Sequence, residues 1–170
     1  ESKKKEINYE EHTNYSESIF IVGMPRSGST LLESILSLSK DVYDLGETNI
    51  LEESFLECKK SKKDINLAEL YCEKVNNKTE LNITTNKWLF NYQYAGIIAK
   101  TILNAKIIHC FRNPLDNILS IYRAHFSYKA YAINEFASSL IDCARVYLDQ
   151  ESLMTEYKKR FRSKIYDFNY

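Results

Sequence analysis

The sequence of 170 residues has few glycines and prolines, 4 and 2, and no excess of charge of either sign, because 23 basic residues balance 23 acidic ones. A chain without net charge is not drawn as a whole to nucleic acid or to an anionic membrane, so its partners must be selected locally. No apolar run approaches the length of a membrane span, and no signal-peptide pattern opens the chain. We therefore expect no nucleic-acid partner and no membrane span.

The 4 cysteines form no Cys-x-x-Cys pair, which argues against a zinc site and against a redox motif. Cys110 lies in an apolar, strand-like run and Cys143 lies in a helical pattern, and buried thiols are common in both settings. We expect reduced cysteines and a cytoplasmic location.

The chain is long enough for one core and too short for two ordinary domains. Residues 1–17 are polar, include the run Lys3–Lys5 and His12, and are predicted to be a linker or tail. Residues 18–170 are predicted to be a single domain. Because this domain ends on an alternating, strand-like segment, we expect it to be incomplete at its C-terminus.

Strand-like runs alternate with helical patterns along the domain, and this alternation implies a parallel sheet with helical crossovers. The predicted fold class is α/β, a P-loop-type three-layer fold with a central, mostly parallel sheet flanked by helices. The segment Ser39–Asn49 is predicted to be turn-rich, and Ile133–Phe161 to form one helix, or two that break near Gln150. His109 falls in a buried strand and His125 on a helix face, and neither has a visible partner.

The most informative stretch is a strand, a glycine-bounded loop and a helix within Ile19–Leu36. The loop has the spacing of a P-loop, and its sequence is Gly23-Met24-Pro25-Arg26-Ser27-Gly28-Ser29-Thr30. In such a loop, backbone N–H groups and a helix N-terminus point at one bound anion. Ser29 stands where a nucleotide triphosphatase has lysine, and Arg26 supplies a cation inside the loop. The pattern favours a phosphate-type anion site that is not an ATPase; the alternative is an ordinary strand, turn and helix.

Two more polar clusters, Asn86–Lys87 and Arg112–Asn113, follow predicted strands. The carboxyl ends of parallel strands meet at one edge of a sheet, where ligands of such sheets bind. We therefore expect the loop Gly23–Thr30 and both clusters at the same edge. Asn113 followed by Pro114 also predicts the start of a helix.

Together these residues resemble the sulfotransferases that use 3′-phosphoadenosine 5′-phosphosulfate (PAPS), most of all the bacterial enzymes with tetratricopeptide repeats ahead of the catalytic domain and the tyrosylprotein sulfotransferases. The segment Gly23–Leu31 is similar to the family's 5′-phosphosulfate loop, with Ser29 in place of a common threonine. The segment Lys106–Phe126 resembles its 3′-phosphate motif, in which an arginine and a serine eight residues later share the phosphate; here they are Arg112 and Ser120.

Two shorter pairs extend the resemblance. Gly46-Glu47 is similar to the family's Gly-Glu pair, whose glutamate is taken as the base. Asn86-Lys87 matches the family's Asp/Asn-Lys pair, but Trp88 and Leu89 replace the residues that usually follow it.

The resemblance implies transfer of a sulfuryl group from PAPS to a hydroxyl or phenol, which leaves 3′,5′-adenosine bisphosphate. It implies that Arg26 and Lys87 stabilise the charge of the reacting group and that Glu47 takes the acceptor's proton. The residues expected to bind PAPS are Arg26, Ser27, Gly28, Ser29, Thr30, Arg112 and Ser120. No metal is expected, because Arg112 occupies the point where a metal-binding aspartate would follow the strand. The acceptor class stays open among peptide, sugar, lipid and small molecule, and an upstream tetratricopeptide-repeat domain is a possible partner.

The residues alone also allow other interpretations. A P-loop kinase is disfavoured by the missing loop lysine and metal-binding aspartate, whereas a non-catalytic nucleotide-binding or scaffolding module is a further alternative. Glu47 also suits the first turn of a helix, Lys87 a surface position, and Arg112 the plain end of a strand.

Overall fold

The computed structural model describes residues 16–61, 65–124, 126 and 131–170, and within them five strands form one sheet. The strands are β1 (Glu17–Gly23), β2 (Val42–Asp44), β3 (Ile83–Asn86), β4 (Ala105–Phe111) and β5 (Ile165–Asn169). Their order is β2-β3-β1-β4-β5, and every neighbouring pair is parallel. The strand that leads into the predicted anion-binding loop is therefore the central one. The expected tail with Lys3–Lys5 and His12, and also His125, lie outside the described residues.

Seven helices connect the strands within the described ranges. They are α1 (Ser29–Leu36), α2 (Ile50–Lys60), α3 (Leu67–Asn76), α4 (Ala95–Thr101), α5 (Pro114–Tyr122), α6 (Tyr131–Ala137) and α7 (Leu140–Arg160). A 3₁₀ segment, Leu89–Tyr94, leads from β3 into α4. The helix start predicted from Asn113 and Pro114 is confirmed, because the Asn113 Oδ1 accepts hydrogen bonds from the N–H groups of the first turn of α5.

Alternate residues of β1 pack against helices on opposite faces of the sheet. Phe20 and Val22 belong to a core that contains residues of α2, α3, α4 and α7. Ile21 points the other way and packs with Cys110 and with Leu32 of α1. Since helices cover both faces, the predicted three-layer α/β fold is confirmed, and β1 is buried on both sides as its apolar sequence indicates.

One prediction of local structure was incomplete and one was wrong. The segment Ser39–Asn49 is turn-rich as predicted, but it also contains β2, a three-residue edge strand too short to show an alternating pattern. The break in the last helical region lies between Ala137 and Leu140 rather than near Gln150. The Ser139 side chain caps α7 there by accepting the N–H of Asp142, whereas Gln150 is buried within α7.

The prediction that His109 is a core strand residue is confirmed, but it has partners that the sequence did not reveal. Its Nε2 lies 2.6 Å from the Gln150 side-chain nitrogen and 3.3 Å from Glu151 Oε1, and its Nδ1 lies 3.6 Å from Asp167 Oδ1. These groups come from α7 and β5, so His109 links β4 to two elements that follow it much later in the sequence.

The four cysteines are free thiols. Burial raises the pKa of Cys110 to about 12 and raises the pKa of Cys143, so neither forms a thiolate readily at neutral pH. Among the described helices, none combines the length and the apolar character that crossing a bilayer requires.

Replacement of Gly23 by alanine should be far more damaging than the same change at Gly46. Both glycines have a positive φ, 143° and 65°, but a methyl group on Gly23 would collide with the backbone carbonyl of Cys110 in the neighbouring strand. At Gly46 the nearest atom would be 3.8 Å away. We expect the free energy of unfolding to fall by about 3 kcal/mol in Gly23→Ala and by about 1 kcal/mol in Gly46→Ala, measured by urea denaturation. Equal losses of unfolding free energy in the two variants would contradict the close approach of β1 and β4 at Gly23.

Candidate functional site

All the predicted site residues except Ser120, which lies in α5, follow a strand at the carboxyl edge of the sheet. The loop Gly23–Thr30 follows β1, Gly46 and Glu47 follow β2, Lys87 follows β3, and Arg112 follows β4. The two strands that flank β1 are β3 and β4, so Lys87 and Arg112 leave the sheet on opposite sides of the loop.

The loop has a strained conformation at its arginine. Arg26 has a φ of 67° and is the only non-glycine residue with a positive φ in the described part of the chain. A left-handed conformation at such a residue costs about 1–2 kcal/mol and persists only where surrounding contacts fix it. Gly28, with a φ of 84°, then turns the chain into α1. These two residues direct the N-terminus of α1, with its N–H groups, towards the carboxyl edge of the sheet.

Helix α5 and the end of β4 supply the contacts that fix the loop. The buried Asn117 side chain donates to the carbonyl of Pro25 at 2.9 Å, and Arg112 Nη1 donates to the carbonyl of Arg26 at 3.4 Å. The Arg26 Nε donates to Ser120 Oγ at 3.3 Å. Sequence reasoning missed Asn117; the only signal for it was a polar residue on the inner face of an otherwise amphipathic helix.

Two cavities adjoin at this point, and Arg26 and Arg112 line both. One, of about 330 Å³, is also lined by Ser120, Arg123 and Asp116. The other, of about 230 Å³, contains the start of α1 (Gly28, Ser29 and Thr30) and Tyr170. The first cavity has three arginines against a single carboxylate, and the second is rich in N–H and hydroxyl donors, so each suits an anionic group.

Two further features of the loop lie close to the start of α1. The Ser27 hydroxyl is buried and, among the described residues, has no hydrogen-bond partner, although a buried polar group normally has one. The Tyr170 ring lies against Gly28, where a Cβ would overlap it, and 5.5 Å from the Arg112 guanidinium. The position of the Tyr170 ring therefore depends on the absence of a side chain at Gly28.

On the β3 side of the loop, Lys87 lies between two carboxylates. Its Nζ is 2.7 Å from Glu47 Oε1 and 3.7 Å from Glu33 Oε2. The Lys87 and Glu33 side chains are almost fully buried, whereas the Glu47 side chain is 65% exposed. Lys87 is thus not a surface lysine, and Glu47 is the carboxylate of this group that solvent can reach.

Glu33 was not predicted from the sequence, where it reads only as a polar residue within the apolar helix α1. Its Oε1 accepts a hydrogen bond from Thr85 at 3.1 Å. Burial, together with the neighbouring Asp44 carboxyl, raises the pKa of Glu33 to about 7, although Lys87 and Thr85 act in the opposite direction. Glu33 connects the helix of the anion-binding loop with the strand end that carries Lys87.

The structure therefore groups the predicted residues into two clusters rather than one. Arg26, Arg112 and Ser120 are in contact on the β4 side of the loop, and Lys87 and Glu47 form an ion pair on the β3 side. The described residues include no group of three or more His, Cys, Asp or Glu side chains that is arranged to hold a metal ion.

The raised pKa of Glu33 makes stability depend on pH. Because the folded pKa is about 7 against 4.5 for an ordinary glutamate, the stabilising contribution is complete below pH 4.5 and is lost as the pH rises to 7 and above. The Glu33→Gln variant has no carboxyl to ionise at this position, so it does not lose stability in this pH range. The difference in free energy of unfolding between Glu33→Gln and wild type should therefore shift in favour of the variant from pH 5 to pH 8, by on the order of 1–3 kcal/mol.

Urea denaturation of both proteins at the two pH values measures this difference. Glu53→Gln, which removes an exposed carboxyl from α2, is the matched control. A difference between Glu33→Gln and wild type that is the same at both pH values would contradict the buried carboxyl.

The chain is similar to known proteins over most of its length. A family model with the description Sulfotransferase domain matches residues 16–166. An uncharacterized protein of Aquifex aeolicus (strain VF5) is 30% identical over 173 aligned residues. The alignment covers 89% of this chain and 23% of that protein, so this chain spans under a quarter of that relative's length. The crystal structure of a shikimate kinase from Bacteroides thetaiotaomicron aligns with a TM-score of 0.48 at 15% identity, over 90% of this chain and 86% of that one. Because the family model matches more than half of the chain, the protein belongs to the sulfotransferase domain family.

Proposed function

We propose that the protein transfers a sulfuryl group from PAPS to the oxygen of a hydroxyl or phenol. The observation that carries the proposal is the contact between the two predicted anion sites. Arg26 of the loop and Ser120 of α5 are 3.3 Å apart, and Arg26 and Arg112 line both adjoining cavities. A donor with charged groups at its 5′ and 3′ positions needs two such sites close to each other.

The residues of the loop, of α5 and of the end of β4 fit this donor. The loop N–H groups, with those of Ser27 and Gly28, and the Ser29 and Thr30 side chains would hold the 5′ end, in the cavity that the start of α1 lines. Arg112 and Ser120 would hold the 3′-phosphate, with Arg123 in the same cavity. In this arrangement Arg26 has to leave Ser120 when the 3′-phosphate enters, and its guanidinium then serves the sulfuryl end.

In the proposed transfer, Glu47 and Lys87 have different roles. When bound, the donor supplies a sulfuryl group activated by its anhydride bond to the 5′-phosphate. Glu47 accepts the proton of the acceptor hydroxyl as the acceptor oxygen bonds to sulfur and the bond from sulfur to the bridging oxygen breaks. Lys87 balances the charge that the departing bisphosphate retains. Because Lys87 neutralises Glu47 in the ion pair, movement of the Lys87 ammonium towards the donor would free Glu47 to act as a base.

Binding of 3′,5′-adenosine bisphosphate tests the donor site. We expect binding in the presence of EDTA, and Arg112→Ala should weaken it about 10- to 100-fold, because charge-assisted hydrogen bonds to the phosphate are lost. Isothermal titration calorimetry measures the affinity. Arg145→Ala, which removes an arginine paired with Asp142 on the exposed side of α7, is the control and should bind as wild type does.

Binding that requires Mg²⁺, or tighter binding of ATP than of the bisphosphate, would favour a P-loop kinase instead. If Arg112→Ala binds the bisphosphate with unchanged affinity, Arg112 does not bind the 3′-phosphate.

Glu47→Ala separates binding from chemistry. Because Glu47 is assigned to the acceptor proton and not to the donor, the variant should bind the bisphosphate with wild-type affinity and lose at least about 100-fold in turnover. Transfer of labelled sulfate from PAPS to the probe phenol p-cresol measures turnover. A loss of affinity equal to that of Arg112→Ala would contradict the division of roles, and unchanged turnover would exclude Glu47 as the base.

A further inference from the structure

Glu33 is a buried carboxyl group beside the site, and the proposed transfer gives it no role. It follows Ser29 by four residues in α1, so the two side chains lie on the same face of the helix, one turn apart. Both residues are buried, so this face is turned inwards. Glu33 therefore lies one helical turn behind the residues that are proposed to hold the 5′ end of the donor.

The ends of two neighbouring strands contact the Glu33 carboxyl group. From the β3 side, the Thr85 hydroxyl donates to Glu33 Oε1 at 3.1 Å, and the Lys87 Nζ lies 3.7 Å from Glu33 Oε2. From β2, the Asp44 carboxyl forms a hydrogen bond with Glu33. Within the described part of the chain, Asp44 and Lys87 are the charged groups that neighbouring elements turn towards Glu33. One of them is an anion and the other is a cation.

A hydrogen bond between two carboxyl groups requires a proton on one of them. Asp44 is exposed whereas Glu33 is buried, and burial favours the neutral form, so the proton resides on Glu33. Burial, followed by the Asp44 carboxyl, raises the pKa of Glu33 to about 7. Both forms of Glu33 are therefore populated near neutral pH.

The two forms of Glu33 leave Lys87 in different surroundings. When Glu33 is neutral, the charged partner of the Lys87 ammonium is Glu47, at 2.7 Å. When Glu33 loses its proton, a second carboxylate at 3.7 Å attracts the same ammonium from the buried side. Water screens this attraction little, because the Glu33 and Lys87 side chains are both almost fully buried. The ionised form of Glu33 therefore holds the ammonium more strongly than the neutral form does.

We infer that Glu33 is a positioning residue for sulfuryl transfer, and that its carboxyl group controls how strongly the Lys87 ammonium is held away from the donor. The inference rests on the proposed function, in which this ammonium leaves Glu47 and moves towards the donor. Neutral Glu33 allows the movement, and ionised Glu33 opposes it. The Lys87 backbone stays in place, because its N–H donates to the carbonyl of Gly46 at 3.0 Å.

Glu33→Gln reproduces the neutral form at every pH, because its amide can accept from Thr85 and donate to Asp44 but cannot ionise. The protonated fraction of a group with a pKa of about 7 falls about tenfold between pH 6 and pH 8. In the full chain, kcat/KM for PAPS with p-cresol, as the ratio of Glu33→Gln to wild type, should therefore rise about tenfold over this range. The ratio cancels the ionisation of the substrates, and kcat/KM reports the free enzyme.

Binding provides a second measurement that does not depend on turnover. The affinity for 3′,5′-adenosine bisphosphate, measured by isothermal titration calorimetry, should follow the same trend, because the bound bisphosphate also attracts Lys87. For Glu53→Gln, the matched control with an exposed carboxyl removed from α2, both ratios to wild type should be the same at pH 6 and pH 8.

Two further variants test the cause of the pH dependence. Thr85→Val removes the hydroxyl that favours ionised Glu33, so it should move the loss of kcat/KM to higher pH. Asp44→Asn removes the neighbouring charge but keeps the oxygen that accepts the Gly46 N–H, so it should move the loss to lower pH. Each shift should be on the order of one pH unit. Shifts in the same direction, or no shift in either variant, would overturn the inference.

The outcomes separate this inference from the proposed function. If the bisphosphate binds and p-cresol is sulfated but the ratio for Glu33→Gln is the same at both pH values, Glu33 only holds α1 on the sheet. The inference is then overturned and the sulfotransferase proposal stands; a rise in Glu53→Gln as well has the same meaning. If the affinity ratio for Glu33→Gln rises with pH but no phenol is sulfated, Glu33 controls Lys87 and the proposed transfer fails. If the bisphosphate does not bind, both fail.

Discussion

The loop after the central strand depends on contacts from α5 and from the end of β4, and the rest of the site depends on that loop. Arg26 is held in a left-handed conformation that L-residues disfavour. The Asn117 amide binds the carbonyl before it, and the Arg112 guanidinium binds its own carbonyl. The residues that fix the loop therefore include an arginine proposed to bind the donor. In the proposed function, donor binding and loop geometry are therefore coupled through Arg112.

A second constraint is the burial of charge beside the loop. Lys87 and Glu33 are both withdrawn from solvent, and Glu33 has its pKa raised to about 7. Burying a charged group is costly unless it is paired, so the Lys87 ammonium is fixed by its two carboxylate neighbours. Glu47 is the more exposed of these two. The cluster therefore has one buried carboxyl group, Glu33, and one that solvent can reach, Glu47.

The two clusters of polar side chains occupy opposite sides of the same loop. The arginine-lined cavities lie towards β4, and the Lys87 and Glu47 ion pair lies towards β3. The strand order places β1 between these two strands, so the loop after β1 lies between the two clusters.

The sequence alone determined the α/β fold, the central strand, the loop and the start of α5, because each has a local signature: a buried apolar run, fixed glycine spacing, or an Asn-Pro cap. It also identified the residues at the strand ends, since parallel strands bring these ends to one edge. Only the tertiary structure decided which side chains meet there. Glu33, Asn117 and the partners of His109 were invisible in the sequence because their contacts join elements 41 to 92 residues apart. The strand β2 and the break before α7 were missed because a three-residue strand and a two-serine interruption leave too little pattern to read, and packing against neighbouring elements defines both.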